Sequence, residues 1–262
     1  MSTSYAQGTP CWVDIGTPDL DAAIAFYSDL FGWEVEKGPE DMGHYSMARL
    51  DGKNVAGLAD QQVPGMTVWT TYLAVDDVDA SVALATEHGG TVVAEPMTIE
   101  GSGRMAIVAD PGGAVVAFWE AGGHRGADVM NEPGTVCWNE LTTRAVPESV
   151  EFYRAVLGLE GAHTPSDDMD YYQFQIDGRD VGGIMPMVGD MWPAEIPNHW
   201  MVYFAVADTD ATAARCVELG GQAPVPPTDI PPGRFAVLVD PQGGHFSILQ
   251  MSEELRERIA DA

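Results

Sequence analysis

Basic residues are scarce in this chain. Among its 262 residues, 12 Lys and Arg stand against 40 Asp and Glu, a formal charge of −28. So negative a surface repels phosphate backbones and anionic lipid headgroups, which argues against nucleic acid and membrane surfaces as partners. The same field draws cationic small molecules into an acidic cleft, and it also simply keeps a protein soluble. No apolar run approaches the roughly 20 residues of a membrane-spanning helix. The opening MSTSYAQGTP has neither the basic start nor the apolar stretch of a secretory leader. Cysteine is rare: Cys11, Cys137 and Cys216, without CxxC spacing, suit free thiols in a reducing compartment and a cytoplasmic location. No Ser-His-Asp grouping, P-loop or GxGxxG with a following helix occurs.

What the chain does have is an internal repeat. GTPCWVDIGT at residues 8–17 returns as GTVCWNELTT at 134–143, and DGKNVAGL at 51–58 returns as DGRDVGGI at 177–184. With a small drift, GRMAIVADPGG (103–113) answers GRFAVLVDPQG (233–243). The chain is a tandem duplication with halves at 1–122 and 134–262, joined by a Gly-rich polar linker at 123–133. With 45% hydrophobic residues, each half can build a core.

Each half divides again. CWVDI alternates as a strand, with Cys11, Val13 and Ile15 on one face and Trp12 and Asp14 on the other. Thr17-Pro18 is expected to cap a helix, along which Leu20, Ile24, Tyr27 and Phe31 form one stripe before Gly32. Strands follow near 33–37, 44–50 and 53–59. TVWTTYLAVDD then starts a second unit, with a helix through VDASVALATEHGG and strands near 91–98, 103–109 and 114–120. The DPGG and DPQG turns precede the last strand of each half. The fold class is α+β: four βαβββ modules in two pairs.

AIAFYSDLFGW (23–33), SVEFYRAVLGL (149–159) and the two DPxG turns resemble the vicinal oxygen chelate superfamily: glyoxalase I, bleomycin- and fosfomycin-resistance proteins, and extradiol dioxygenases. The tandem form is similar to two-domain glyoxalase-like proteins of actinobacteria, some described as hydroxylases. The resemblance implies two cup-shaped domains, each holding a small molecule and, in the enzymes, a divalent metal bound by His, Gln or Glu. The matching positions here carry Trp12 and Trp138 on the first strands. The second units offer Thr70 and Met201, or Trp69 and Trp200 one residue earlier. The last strands offer Ala117 and Ser247. None of these is a usual ligand for a divalent ion, so no metal or other cofactor is expected, although a misaligned set from His44, His199, Glu120 and His245 stays open.

Trp12, Trp138, Trp69 and Trp200 are therefore candidate ring-stacking residues for an aromatic or cationic ligand, or plugs for the vacated space. Asp14 and Glu140 are candidate bases, with Arg104 and Arg234 expected to pair with them or to hold an anionic group of the ligand. His245 is a candidate acid or base. Cys11 and Cys137 read as small buried hydrophobes. Two functions follow as expectations: a metal-independent small-molecule-binding protein of the sequestration type, monomeric or homodimeric, or a metal-independent lyase, isomerase or hydroxylase. A metal-dependent glyoxalase or dioxygenase is the third.

Overall fold

The computed structural model describes residues 5–61, 65–164, 170–190 and 192–260. The first module is β1 (Pro10–Thr17), α1 (Leu20–Phe31), β2 (Glu34–Glu36), β3 (Ser46–Leu50) and β4 (Lys53–Asp60). The second is β5 (Val68–Ala74), α2 (Val78–Glu87), β6 (Thr91–Ile99), β7 (Gly103–Ala109) and β8 (Val115–Ala121). The third is β9 (Val136–Thr143), α3 (Val146–Leu157), β10 (Glu160–Thr164), β11 (Tyr171–Ile176) and β12 (Arg179–Pro186). The fourth is β13 (His199–Ala205), α4 (Thr209–Glu218), β14 (Gln222–Ile230), β15 (Gly233–Val239) and β16 (His245–Met251). A closing helix, α5 (Glu253–Ala260), lies outside the repeat pattern.

The strands make two eight-stranded sheets, ordered β2-β3-β4-β1-β5-β8-β7-β6 and β10-β11-β12-β9-β13-β16-β15-β14. The first strand of each repeat runs parallel to its neighbour, with Asp14 beside Gly57 and Glu140 beside Gly183. The backbone gathers into two compact units, each drawing on both repeats. One comprises the described residues of 1–12, 70–126 and 138–201; the other those of 13–69, 127–137 and 202–262.

The helix stripe is where the periodicity places it. In α1, Leu20, Tyr27 and Phe31 of the expected stripe are buried, together with Ala23 and Phe26, while Ile24 is half-buried against the core. Gly32, at φ 75°, sends its N–H to Ser28 O and stops the helix in the left-handed conformation that glycine adopts freely. The start differs from expectation. The N-cap is Asp19, whose carboxylate accepts from Ala22 N; Thr17 stays in β1 and donates its hydroxyl to Gln242 Oε1. An aspartate two residues on, already outside the ladder, is a better acceptor for the free amides than a threonine still held in a strand.

A three-residue relay anchors each core. Trp69 Nε1–H donates to the Tyr27 hydroxyl at 3.0 Å, which donates to Asp240 Oδ2 at 2.8 Å. In the other unit Trp200 Nε1–H donates to Tyr153 at 2.9 Å, and Tyr153 bonds Asp110. Both carboxylates come from the DPxG turns. Burial first, and then the neighbouring carboxylate, holds each phenol well above its ordinary pKa. Burial also raises the Asp110 carboxyl, against the hydrogen bonds it accepts from Ala114 N and Ser149.

Candidate ligand site

Two opposite faces of the sheets separate structural residues from candidate site residues. Val13 and Ile15 join the core under the helices, and Cys11 Sγ sits 3.5 Å from Tyr72 O. Trp12 and Asp14 therefore point to the other face, as the alternation requires. In the second repeat Leu141 packs in the core while Trp138 and Glu140 take the opposite face. Cys11 and Cys137 are buried, and desolvation pushes both thiols well above their ordinary pKa. They are the small buried side chains expected.

On the face carrying Glu140, three side chains form a hydrogen-bonded chain that ends on the carboxylate. Trp138 Nε1–H donates to the Tyr171 hydroxyl at 2.9 Å, which donates to Glu140 Oε2 at 2.7 Å. The geometry depends on a glycine. A Cβ at Gly183 would run into the Tyr171 hydroxyl and lie 2.8 Å from Trp138 Nε1. Glu140 is 5% exposed, whereas Trp138 and Tyr171 are half-buried. In the other unit Tyr45 donates to Asp14 Oδ2 at 3.1 Å, and a Cβ at Gly57 would meet the Tyr45 ring and hydroxyl. Each repeat thus lays a tyrosine over a glycine and ties it to the carboxylate two residues after the tryptophan.

Other candidate residues lie elsewhere than expected. Trp69 and Trp200 belong to the helix-side cores, at 3% and 6% exposure, with their indole N–H groups held by Tyr27 and Tyr153. Their strand register turns them away from the face of Trp12 and Trp138, which corrects the reading of these two indoles as cup-lining. Nor do the arginines pair with Asp14 and Glu140. Arg104 binds both oxygens of Asp79 in the first turn of α2, at 2.6 and 3.2 Å, and lies 3.6 Å from Glu120. Arg234 binds Asp210 of α4 and Asp229. Alternation puts Arg104 on the face of Ala106 and Val108, both core residues, so it reaches the helix side. His245 is exposed at the start of β16.

Tyr45 and Tyr171 are candidate site residues that the sequence reading above does not name. Both stand at the repeat's own offset, as do Gly57 and Gly183, so a full alignment of the two halves contains the signal.

Comparisons with known proteins decide the family. Residues 11–118 match the Glyoxalase/Bleomycin resistance protein/Dioxygenase superfamily, and residues 136–249 match a glyoxalase-like domain. The chain belongs to this superfamily. Among its relatives is CFP32 of Mycobacterium tuberculosis (strain CDC 1551 / Oshkosh), which carries a provisional designation as a glyoxylase. It is 45% identical over 261 residues, covering 95% of this chain and 97% of the relative. The anthracycline biosynthesis protein DnrV of Streptomyces peucetius is 39% identical over 269 residues, covering 96% of each. In fold, the chain is similar to the Mn(II)-bound glyoxalase of Novosphingobium aromaticivorans, with a TM-score of 0.64 at 20% identity, covering 94% of this chain and 84% of that one. It is similar also to the 2,3-dioxygenase LapB of Pseudomonas sp. KL28, with a TM-score of 0.63 at 14% identity, covering 94% and 93%.

Superfamily enzymes of the metal-dependent kind need imidazole or carboxylate donors converging on one ion. The positions to which the resemblance points hold no such donor. Ala117 and Ser247 are fully buried, and neither they nor Trp12, Thr70, Trp138 or Met201 offers imidazole or carboxylate. Of the four reserve candidates, His44 Nδ1 lies 2.7 Å from Asp60, His199 Nδ1 lies 2.8 Å from Pro197 O, Glu120 accepts from Val78 N, and His245 is exposed at the start of β16. Among the described residues no group of three or more His, Cys, Asp and Glu side chains is placed to hold a metal ion. Among them, too, no helix is long and apolar enough to cross a membrane.

Proposed function

We propose that this superfamily member binds a flat aromatic small molecule, neutral or cationic, by ring stacking and fixed negative charge, without a metal ion. The observation that carries the reading is the Trp138–Tyr171–Glu140 chain on the sheet face where the superfamily's enzymes keep a metal ligand. An indole face offers stacking and cation–π attraction worth about 0.5–2 kcal/mol. The formal charge of −28 adds long-range attraction for cations. The relative DnrV, named for anthracycline biosynthesis, fits the same ligand class, since anthracyclines are fused-ring aromatic compounds.

A second reading is favoured by the short Tyr171–Glu140 bond: proton transfer by a metal-independent lyase or isomerase, with Glu140 taking the phenol's proton as Tyr171 takes one from the substrate. Titration of tryptophan fluorescence with proflavine, daunorubicin and 2-naphthol tests the binding reading. Saturable quenching that weakens in Trp138→Phe is expected. Titrations that never saturate, or that Trp138→Phe leaves untouched, would overturn it.

A further inference from the structure

The two repeats treat their equivalent tryptophans differently. Trp12 is 4% exposed, whereas Trp138 is half-buried. The difference lies in the segment after β8. His124 meets the Trp12 ring edge-on at 4.5 Å and 82°, and it stands at 5.7 Å from Trp119, whose Nε1–H donates to His124 O at 3.1 Å.

Glycines make this placement possible. Gly122 N and His124 N both donate to Ser102 O at 2.9 Å, laying the segment against the β6–β7 turn. A Cβ at Gly122 would come within 2.8 Å of Ser102 O, and one at Gly123 would strike Gly101 O. Gly126, at φ 111°, sits so close to Cys11 that a Cβ would meet its carbonyl oxygen. AGGHRG is thus a strap whose small residues let the backbone lie flat while its one large ring covers Trp12. Among the described residues the second repeat has no such strap: β16 is followed by Ser252 and α5.

We infer that the repeats have divided their labour: the inter-repeat segment closes the Trp12 face with His124, and one ligand per chain binds over Trp138. That ligand is a planar aromatic molecule with a cationic or hydrogen-bond-donating group aimed at the Tyr171 hydroxyl. Glu140, buried beneath, accepts from the phenol and orients it. This inference rests on the proposed ligand-binding function and adds where, and how many times, binding occurs.

The test uses the full chain and proflavine, a planar tricyclic cation, in isothermal titration. One site per chain is expected, its affinity unchanged in Trp12→Phe and weakened about ten-fold or more in Trp138→Phe and Glu140→Gln. His124→Ala, on the surface-lying strap, uncovers Trp12 and raises the stoichiometry toward two. Two sites in the natural chain, or loss of binding with Trp12→Phe in place of Trp138→Phe, would overturn the division while leaving the binding function intact. Acrylamide quenching of tryptophan emission reads the same division without ligand. The strap predicts that His124→Ala gains a quenchable component that Trp12→Phe then removes, and an unchanged quenching curve contradicts it. Failure of proflavine to bind at all would count against the binding function, and the acrylamide curves would still judge the strap.

Discussion

The buried relay of Trp69, Tyr27 and Asp240 gives a sharp test of what holds the core together. Tyr27→Phe deletes one oxygen and leaves the ring packing intact. That oxygen accepts from Trp69 Nε1 at 3.0 Å and donates to Asp240 Oδ2 at 2.8 Å, with Tyr27 fully buried and both partners 3% exposed. Without it the indole N–H loses the acceptor it has in the core. Asp240 keeps the two amides on its other oxygen, Gln242 N and Gly244 N, each at 2.8 Å. A buried polar group left unsatisfied costs about 1–3 kcal/mol, and more when the group is charged. The variant is therefore expected to lose about 2–4 kcal/mol, seen as a fall in Tm of roughly 5–15 °C for a chain of this size. Urea denaturation followed by tryptophan emission, with an unchanged m-value, measures it. A loss under about 0.5 kcal/mol would show that the relay is incidental to stability.

Other parts of the structure carry tests of their own. Gly183→Ala places a methyl group where the Tyr171 hydroxyl lies, so proflavine affinity falls while the far-ultraviolet circular dichroism stays that of the natural chain; retained affinity would contradict the role given to the phenol. The thiols of Cys11 and Cys137 are buried with raised pKa, and burial pushes Cys216 up to about 11, so none reacts rapidly with a disulfide reagent at pH 8 until denaturant is added. The guanidinium of Arg234 holds the Asp210 carboxyl below its ordinary range. A depressed folded-state pKa contributes stability above the unfolded value and loses it as pH falls through the folded one. Arg234→Ala should thus be less stable than the natural chain at neutral pH, with the difference closing on acidification below the carboxylate range and shrinking in high salt; a difference that grows on acidification would reverse the assignment.

The repeat makes most of the fold legible. CW-x-[DE] on a strand, the FY helix ending at glycine and the DPxG turn each recur, and each recurrence fixes a phase for burial. Alternation alone places Trp12, Asp14, Trp138 and Glu140 on the face opposite the helices. Trp69 and Trp200 are less readable, because each lies one residue from a neighbour of opposite facing, and a single-residue slip of register exchanges core for cup. Arg104 and Arg234 mislead for another reason. A repeated arginine signals a repeated acidic partner, and the helix-side aspartates of α2 and α4 are as available in the sequence as Asp14 and Glu140. Tyr171 escapes notice because its bond to Glu140 joins residues 31 positions apart, brought together across β11, β12 and β9. His124 lies in a segment whose glycines look like slack linker, and only the close backbone approaches show that they hold it down.

In the proposed function, rings and fixed charge hold the ligand where related enzymes use an ion. Titration of proflavine into chelator-treated protein, with and without added Mn(II), Fe(II), Ni(II) or Zn(II), tests this most directly. The same affinity and one site per chain are expected under every condition. Binding that vanishes after chelation and returns with one equivalent of a divalent ion would contradict it.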